Sequence, residues 1–273
     1  MKKRLIQAVA EERVPHAQLF HGPPGNGSLA LALAFATYIS CTDRLAGDSC
    51  GQCPSCRKYD KLVHPDLHFS YPVVTSRSKQ PTSEDFIEEW RKALLEDPYM
   101  DLQKWYACMG AENKQGIITK WESEAILKKL SFKAYEAEYK VLVMWMPEKM
   151  NASASNKLLK MIEEPPPMTV FLLVAENTEE ILPTVISRTQ MIRVPRLGDG
   201  DLLEALKSKY TEDEEKLKNA VHLSDGNFSN AVEALQQSEE TEYHLELFVR
   251  IMRLAYSRKF QEIFTWVEEV SSM

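Results

Sequence analysis

Residues 19–29, LFHGPPGNGSL, have the layout of a phosphate-binding loop. A short apolar segment leads into Gly22, a turn rich in Pro and Gly follows, and an apolar, helix-like segment begins at Ser28. In such loops the backbone N–H groups at a helix N-terminus bind phosphates. The motif requires two Gly separated by four residues, then Lys, then Ser or Thr. Gly22 and Gly27 have this spacing, but Ser28 and Leu29 occupy the Lys and Ser/Thr positions.

These two departures remove the groups with which such a loop supports ATP hydrolysis. The Lys contacts the β- and γ-phosphates, and the hydroxyl of the next residue holds Mg²⁺. The sequence therefore predicts a degenerate loop that keeps its strand–turn–helix geometry and provides no working ATP or Mg²⁺ site. Taken alone, the spacing is also compatible with coincidence. The residues of the predicted degenerate loop are Gly22, Gly25, Gly27 and Ser28.

The composition is that of an ordinary globular protein. The chain has 273 residues, of which 44% are hydrophobic and 27% charged, and this length allows two or three domains. No apolar run is long enough to span a membrane, and the basic N-terminus lacks the apolar segment of a secretory signal. We therefore expect a cytoplasmic protein. The net charge of −7 indicates that the surface as a whole does not attract nucleic acid.

Five short apolar segments predict a sheet. Helical stretches separate them, and two of the segments are apolar almost throughout, which is typical of parallel strands covered on both faces. The alternation predicts a doubly wound α/β domain with a five-stranded parallel sheet. The predicted strands are residues 16–21, 67–73, 140–146, 170–175 and 191–194, and the clearest predicted helices are residues 1–15, 28–40 and 151–163.

Changes in composition along the chain indicate three regions. The first is an α/β domain, the second lacks strand-like runs and predicts a small all-helical domain, and the third predicts the start of a further helical domain that is cut short. Within the first region, residues 74–112 read as an insertion, and Phe86, Trp90 and Leu94 at helical spacing predict that it is helical and packed. The three regions are residues 1–197, 198–240 and 241–273.

Four of the five cysteines are clustered in the pattern Cys-x8-Cys-x2-Cys-x2-Cys. In a cytosolic chain, clustered cysteines favour a metal over disulfides. The short gaps let four sulfurs converge on one ion, and a closed thiolate shell leaves no position for water, so we predict a structural Zn²⁺ in a module at residues 41–56. Two disulfides or free buried thiols are the alternatives. The predicted ligands are Cys41, Cys50, Cys53 and Cys56.

Four further motifs follow the loop along the chain. They are HPD at 64–66, NKLLKMIEEPP at 156–166, ISRT at 186–189 and GNFSNA at 226–231. Together with the loop and the cysteines they resemble the bacterial DNA polymerase III clamp-loader subunits of the gamma/tau and delta-prime types. The resemblance covers residues 5–240 except for 74–112. It implies an AAA+ P-loop-type domain, a helical lid domain at 198–240 and a C-terminal collar domain that begins after it.

Departures from the family pattern indicate its non-catalytic members. In the catalytic subunits the strand before the LLK helix ends in Asp-Glu, which hold the Mg²⁺ shell and position the attacking water. Trp145 and Met146 occupy those places here, and Ser229 replaces an Arg of the lid domain. With Ser28 and Leu29, four nucleotide contacts are absent. The resemblance therefore implies a delta-prime-type subunit with no ATPase or polymerase activity of its own.

One functional residue of the family pattern is kept, an arginine in the ISRT motif. In the family, the Arg of the Ser-Arg-Cys motif reaches the ATP site of a neighbouring subunit, so the resemblance implies that Arg188 is an arginine finger in trans. The alternative is a surface Arg near a strand end. Ser187 is expected to bond the local backbone and orient the finger loop. Glu148, just beyond the strand that ends at Met146, is interpreted as a solvated loop carboxylate and not as a displaced catalytic acid.

The leading hypothesis is a non-catalytic clamp-loader subunit in DNA replication, which acts as a stator. The resemblance implies gamma/tau-type and delta-type subunits as partners, and the sliding clamp and primer–template DNA through the assembled complex, with no membrane partner. One alternative is a gamma-type ATPase with a degenerate phosphate-binding loop. Another is a zinc-ribbon protein that binds DNA alone, against which the net charge of −7 argues.

Overall fold

A parallel five-stranded sheet forms the centre of the first of two compact units, Met1–Leu197, in the computed structural model. The structure describes residues 1–75, 80–111, 114–257 and 260–271, except for the side chains of residues 237–246, 260, 268, 269 and 271. The order of the strands is β2-β3-β4-β1-β5, and every neighbouring pair is parallel. The predicted α/β class and five strands are confirmed. The strands are β1 Ala17–His21, β2 Leu67–Ser70, β3 Lys140–Trp145, β4 Thr169–Ala175 and β5 Gln190–Arg193.

Both faces of the sheet are covered, which explains why β3 and β4 are apolar throughout. Every residue of these two strands is buried, and successive residues of β4 belong alternately to two core clusters. Side chains of a strand point to opposite faces in alternation, so each cluster lies on one face. Val170, Leu172 and Val174 lie in one cluster, and Phe171, Leu173 and Ala175 lie in the other.

The helices of the first unit follow the sequence signals closely. One helix spans Ser28–Ser40 as predicted, and Asn151 caps another by accepting a hydrogen bond from the N–H of Ala154 at 2.8 Å. The helix predicted over residues 1–15 is shorter than expected, because Glu12 has a φ of 53°, outside the helical range. The helices are α1 Lys2–Ala10, α2 Ser28–Ser40, α3 Pro54–Tyr59, α4 Ile87–Glu96, α5 Leu102–Cys108, α6 Lys120–Ser131, α7 Ala152–Glu163 and α8 Pro183–Ile186.

The insertion is helical and packed, as its aromatic residues predict. It contributes α4 and α5, and Phe86, Trp90 and Leu94 are all buried. The Trp90 ring stacks on Tyr71 with centroids 4.0 Å apart. Offset aromatic pairs of this kind stabilise a core beyond the burial of their area. Residues 76–79, 112 and 113 of the predicted insertion lie outside the described residues.

The second compact unit, Gly198–Met273, is helical in all of its described elements. The boundary predicted between residues 240 and 241 falls inside α11, which runs from Phe228 to Tyr256, and it stays a prediction. None of the helices in the described part of the chain combines the length and the apolar character needed to cross a membrane. The helices are α9 Asp199–Lys209, α10 Glu214–Ser224, α11 Phe228–Tyr256 and α12 Phe260–Ser271.

Candidate functional site

The four clustered cysteines converge as the sequence predicts. Their sulfur atoms all lie within 4.8 Å of one another. The Sγ atom of Cys41 is 3.6 Å from that of Cys50 and 3.9 Å from that of Cys53, and Cys50 and Cys56 are 3.9 Å apart. In a tetrahedral zinc site with Zn–S bonds of about 2.3 Å, the sulfurs lie about 3.8 Å apart. The four thiols can therefore hold a metal ion such as zinc with little rearrangement.

Backbone geometry supports this arrangement. The N–H groups of Gln52 and Cys53 point at the sulfur of Cys50, at 3.4 and 3.2 Å, and the N–H of Cys56 points at the sulfur of Cys53 at 3.4 Å. Such N–H groups stabilise a thiolate, which is the form that binds a metal. The turn between these cysteines places Gly51 at a φ of 67°, a conformation that other residues adopt at a cost.

Polar contacts attach the cysteine module to the sheet domain. On α3, the hydroxyl of Tyr59 lies 2.8 Å from that of Ser40 at the end of α2. After the module, buried Asp66 accepts hydrogen bonds from the N–H groups of Tyr135, Glu136 and Ala137 at 2.6–2.9 Å. These three bonds hold the pKa of Asp66 below its usual value despite burial. The acidic residue of the HPD motif thus fixes the loop that leads into β3.

One side chain of the predicted degenerate loop hydrogen-bonds both to the loop itself and to the segment after β5. Asn26 is buried, and its side-chain Oδ1 accepts hydrogen bonds from the N–H and the hydroxyl of Ser28 at 2.9 and 2.8 Å. Its Nδ2 donates to the carbonyl of Val194 at 2.8 Å. A Cβ added at Gly22 would lie 2.1 Å from that Nδ2 and 2.2 Å from the Val194 carbonyl oxygen, and because this oxygen belongs to the backbone, only glycine fits here. The Asn26 amide therefore occupies the Ser28 N–H, which is one of the donors at the N-terminus of α2 that a phosphate would use.

The pocket that borders the loop is small. A cavity of about 20 Å³ remains there, which is room for about one water molecule. Leu29 and Trp145, which stand where the Mg²⁺-binding groups would be, are both buried in the apolar core. Tyr99 and Met100 of the insertion also line this cavity. No local pattern predicts their position, because it depends on contacts between segments about 70 residues apart.

The environment of Glu148 differs from the one predicted. It is 8% exposed, and its Oε1 accepts hydrogen bonds from the N–H groups of Glu176 and Asn177 at 2.8 and 3.1 Å. The interpretation as a solvated loop carboxylate is therefore wrong. Two backbone donors follow the end of β4 and need an acceptor, which Glu148 provides. Burial raises the pKa of Glu148, and these bonds oppose that rise.

Glu176 lies beside the same cavity, and its raised pKa predicts that the stability of the fold depends on pH. Burial and the charges of Glu148 and Asp101 raise its pKa to about 7, while Lys149 opposes the rise. Between the ordinary value of 4.5 and 7 the folded chain binds more protons than the unfolded chain, so stability falls as pH rises through this window.

We expect Glu176→Gln to stabilise the fold by about 1–2 kcal/mol at pH 8, because the variant has no charge to bury. At pH 4 the two chains should be equally stable, since Glu176 is then protonated in both states. Urea unfolding at the two pH values measures the difference, with Glu179→Gln on the exposed part of the same loop as the control. An equal effect of Glu176→Gln at both values would contradict this explanation.

Arg188 lies on the surface in the turn between α8 and β5. Its side chain is 41% exposed, and its Nε contacts the Glu163 carboxylate at the end of α7 at 2.7 Å. Its Nη1 donates to the Thr184 carbonyl at 3.1 Å and approaches the Ser187 hydroxyl at 3.4 Å. The Ser187 hydroxyl itself donates to the Thr184 carbonyl at 3.0 Å. These contacts hold the Nε and Nη1 groups of Arg188 against residues at the end of α7 and in α8, while the side chain stays on the surface.

The residue that replaces the family's lid-domain Arg lies in the second unit. Ser229, in the first turn of α11, is 2% exposed. A short buried side chain at this position offers no cation to a phosphate.

Comparison with known sequences gives a consistent result. The family described as "DNA polymerase III, delta subunit" matches residues 1–198. The chain is 25% identical over 264 residues to DNA polymerase III subunit delta' of Bacillus subtilis, covering 96% of this chain and 66% of that protein. It is 29% identical over 215 residues to subunit delta' of Pseudomonas aeruginosa, covering 77% and 53% respectively. The chain thus spans between half and two thirds of the length of these curated relatives.

Solved structures agree on the fold. RuvB of Thermotoga maritima, a Holliday junction branch migration motor, matches with a TM-score of 0.50 and 15% identity, covering 90% of this chain and 62% of that chain. At this identity the likeness concerns the architecture alone.

Proposed function

Because the chain belongs to the family described as "DNA polymerase III, delta subunit", we propose that it is a non-catalytic subunit of a clamp loader. In this role it forms part of the assembly that places a sliding clamp on primed DNA. The observation that carries the proposal is a degenerate loop in which Asn26 takes up the N–H of Ser28 and which borders only a small pocket, in a chain that keeps Arg188 exposed on its surface. The subunit would hydrolyse no ATP and would act on a neighbour's site.

Arg188 is the residue proposed to do so. An arginine supplied in trans stabilises the charge that develops on the transferred γ-phosphoryl group. Contacts of its Nε and Nη1 groups with Glu163, Thr184 and Ser187 limit the rotation of the guanidinium, while 41% of the side chain stays exposed. A guanidinium held in this way loses less side-chain entropy on binding phosphate than a free one. The geometry therefore suits a finger that is positioned before the neighbour binds ATP.

The cysteine module is proposed to bind one Zn²⁺ with a structural role. Soft thiolate ligands in a tetrahedral arrangement favour zinc, and four of them leave no position for a substrate. The ion would keep residues 41–56 folded and attached to α2. We propose that the protein acts in the cytoplasm.

The proposed partners are clamp-loader subunits of the gamma/tau and delta types, with the clamp and primer–template DNA bound through the assembly. Co-purification of the chain with candidate subunits of both types, with and without added ATP, tests this directly. We expect a stable complex that contains this chain. A chain that remains separate from every combination of these subunits, including in a form extended to the full length of its relatives, would contradict the role.

A further inference from the structure

The segment between α4 and α5, residues 97–101, lies directly against the phosphate-binding loop. Pro98, Tyr99 and Met100 line the small cavity together with the loop residues from Gly25 to Leu29. A Cβ added at Gly27 would lie 2.8 Å from Cε1 of Tyr99, so the tyrosine ring is in contact with the loop backbone. Met100 is 5% exposed and belongs to the core.

The segment is a turn with its own internal bonds. The N–H of Tyr99 donates to Oδ1 of Asp97 at 2.9 Å, and the N–H of Met100 donates to the Asp97 carbonyl at 3.2 Å. At the other end, Oδ1 of Asp101 caps α5 by accepting from the N–H of Lys104 at 2.8 Å. Because both ends of the turn are fixed, Tyr99 and Met100 are presented to the loop at little further entropic cost.

The helices on either side anchor the turn in the core. Trp90 on α4 and Trp105 on α5 are fully buried, with ring centroids 5.1 Å apart. The Trp90 ring also lies 5.3 Å from that of Trp145, which stands at the end of β3 where a catalytic subunit has an acidic residue. The insertion thus packs against Trp145, the apolar residue at the position of that acid.

The volume of the pocket beside the loop indicates whether a nucleotide could enter it. A ligand pocket for a molecule the size of a nucleotide needs several hundred Å³, and about 20 Å³ is left here. We propose that residues 98–100 are a built-in occupant of the nucleotide site, with Tyr99 and Met100 filling the space in front of the loop. The insertion then excludes nucleotide independently of the missing Lys, and it holds the loop folded without any ligand. This goes beyond the clamp-loader role and does not depend on it, since it concerns the isolated chain.

The first test is amide hydrogen exchange in the purified chain. We expect residues 25–31 to exchange about tenfold faster in Tyr99→Ala/Met100→Ala than in the unchanged chain, which corresponds to about 1.4 kcal/mol in the local opening equilibrium. Leu95→Ala, at a position 54% exposed on α4, is the control and should leave exchange of the loop unchanged. Unchanged exchange of residues 25–31 in the double variant, or equal acceleration in Leu95→Ala, would overturn the proposal.

The second test keeps the proposal falsifiable if the double variant folds poorly. Ser28→Lys/Leu29→Thr restores the missing loop groups, and binding of a fluorescent ATP analogue with Mg²⁺ is measured with and without the additional Tyr99→Ala change. We expect Kd to be at least about tenfold lower when Tyr99 is removed. Equal binding by the two chains, or no binding by either, would show that the insertion is not what excludes the nucleotide.

Discussion

Replacing Arg188 with Ala should slow ATP turnover at the adjoining site of a reconstituted clamp loader by about 10³-fold or more. An arginine finger contributes most strongly in the transition state, where negative charge develops on the γ-phosphoryl oxygens. The side chain is 41% exposed and its contacts within the chain are few, so its removal should leave the fold intact. The expected change is therefore in kcat at the neighbouring site, with little change in the melting temperature of the isolated chain.

Two further variants separate the finger from a general effect of charge. Arg188→Lys keeps the positive charge and loses the planar fork, so it should recover only part of the rate. Arg13→Ala removes an arginine that is 79% exposed elsewhere on the same unit and should leave turnover unchanged. If Arg188→Ala assembled normally and turned over ATP at the unchanged rate, the finger assignment would be wrong.

Removal of the metal should have the largest effect on stability. Residues 42–48 of the cysteine module are exposed, and few of its side chains join the core, so little besides a metal would hold the sulfurs together. Structural zinc contributes about 10–16 kcal/mol to small zinc-dependent folds, and only part of this applies to a module attached to a larger domain. We expect a strong chelator, or Cys56→Ser, to lower the melting temperature by about 10 °C, equivalent to roughly 3–5 kcal/mol.

Metal analysis and limited proteolysis complete this test. The unchanged chain should contain one zinc per molecule, and cleavage within residues 42–52 should appear only after chelation. Cys108→Ser is the matched control, because Cys108 is exposed and lies outside the cluster, and it should change neither zinc content nor melting. A full-length chain purified without metal and with unchanged stability would contradict a structural zinc site.

Much of the fold could be predicted from the sequence because its signals are local. The apolar runs at 140–146 and 170–175 and the capped helix after Asn151 each carry their own pattern, and the structure contains them as β3, β4 and α7. The cysteine spacing likewise predicts that the four sulfur atoms lie close together, since short gaps bring neighbouring sulfurs near each other.

The errors and omissions arise where the outcome depends on distant contacts. The environment of Glu148 is set by N–H groups 28 and 29 residues further along the chain, which no periodicity reveals. The filling of the nucleotide site by Tyr99 depends on how the insertion packs against a loop that precedes it by about 70 residues.

The most direct test of the central claim is a titration of this chain into a fixed amount of a gamma/tau-type ATPase with its delta-type partner, with ATP turnover as the readout. The chain alone should hydrolyse no ATP, and turnover of the mixture should rise to a plateau with the unchanged chain but not with Arg188→Ala. Hydrolysis of ATP by the isolated chain, or the same plateau with Arg188→Ala, would contradict a subunit that acts on its neighbour's nucleotide instead of its own.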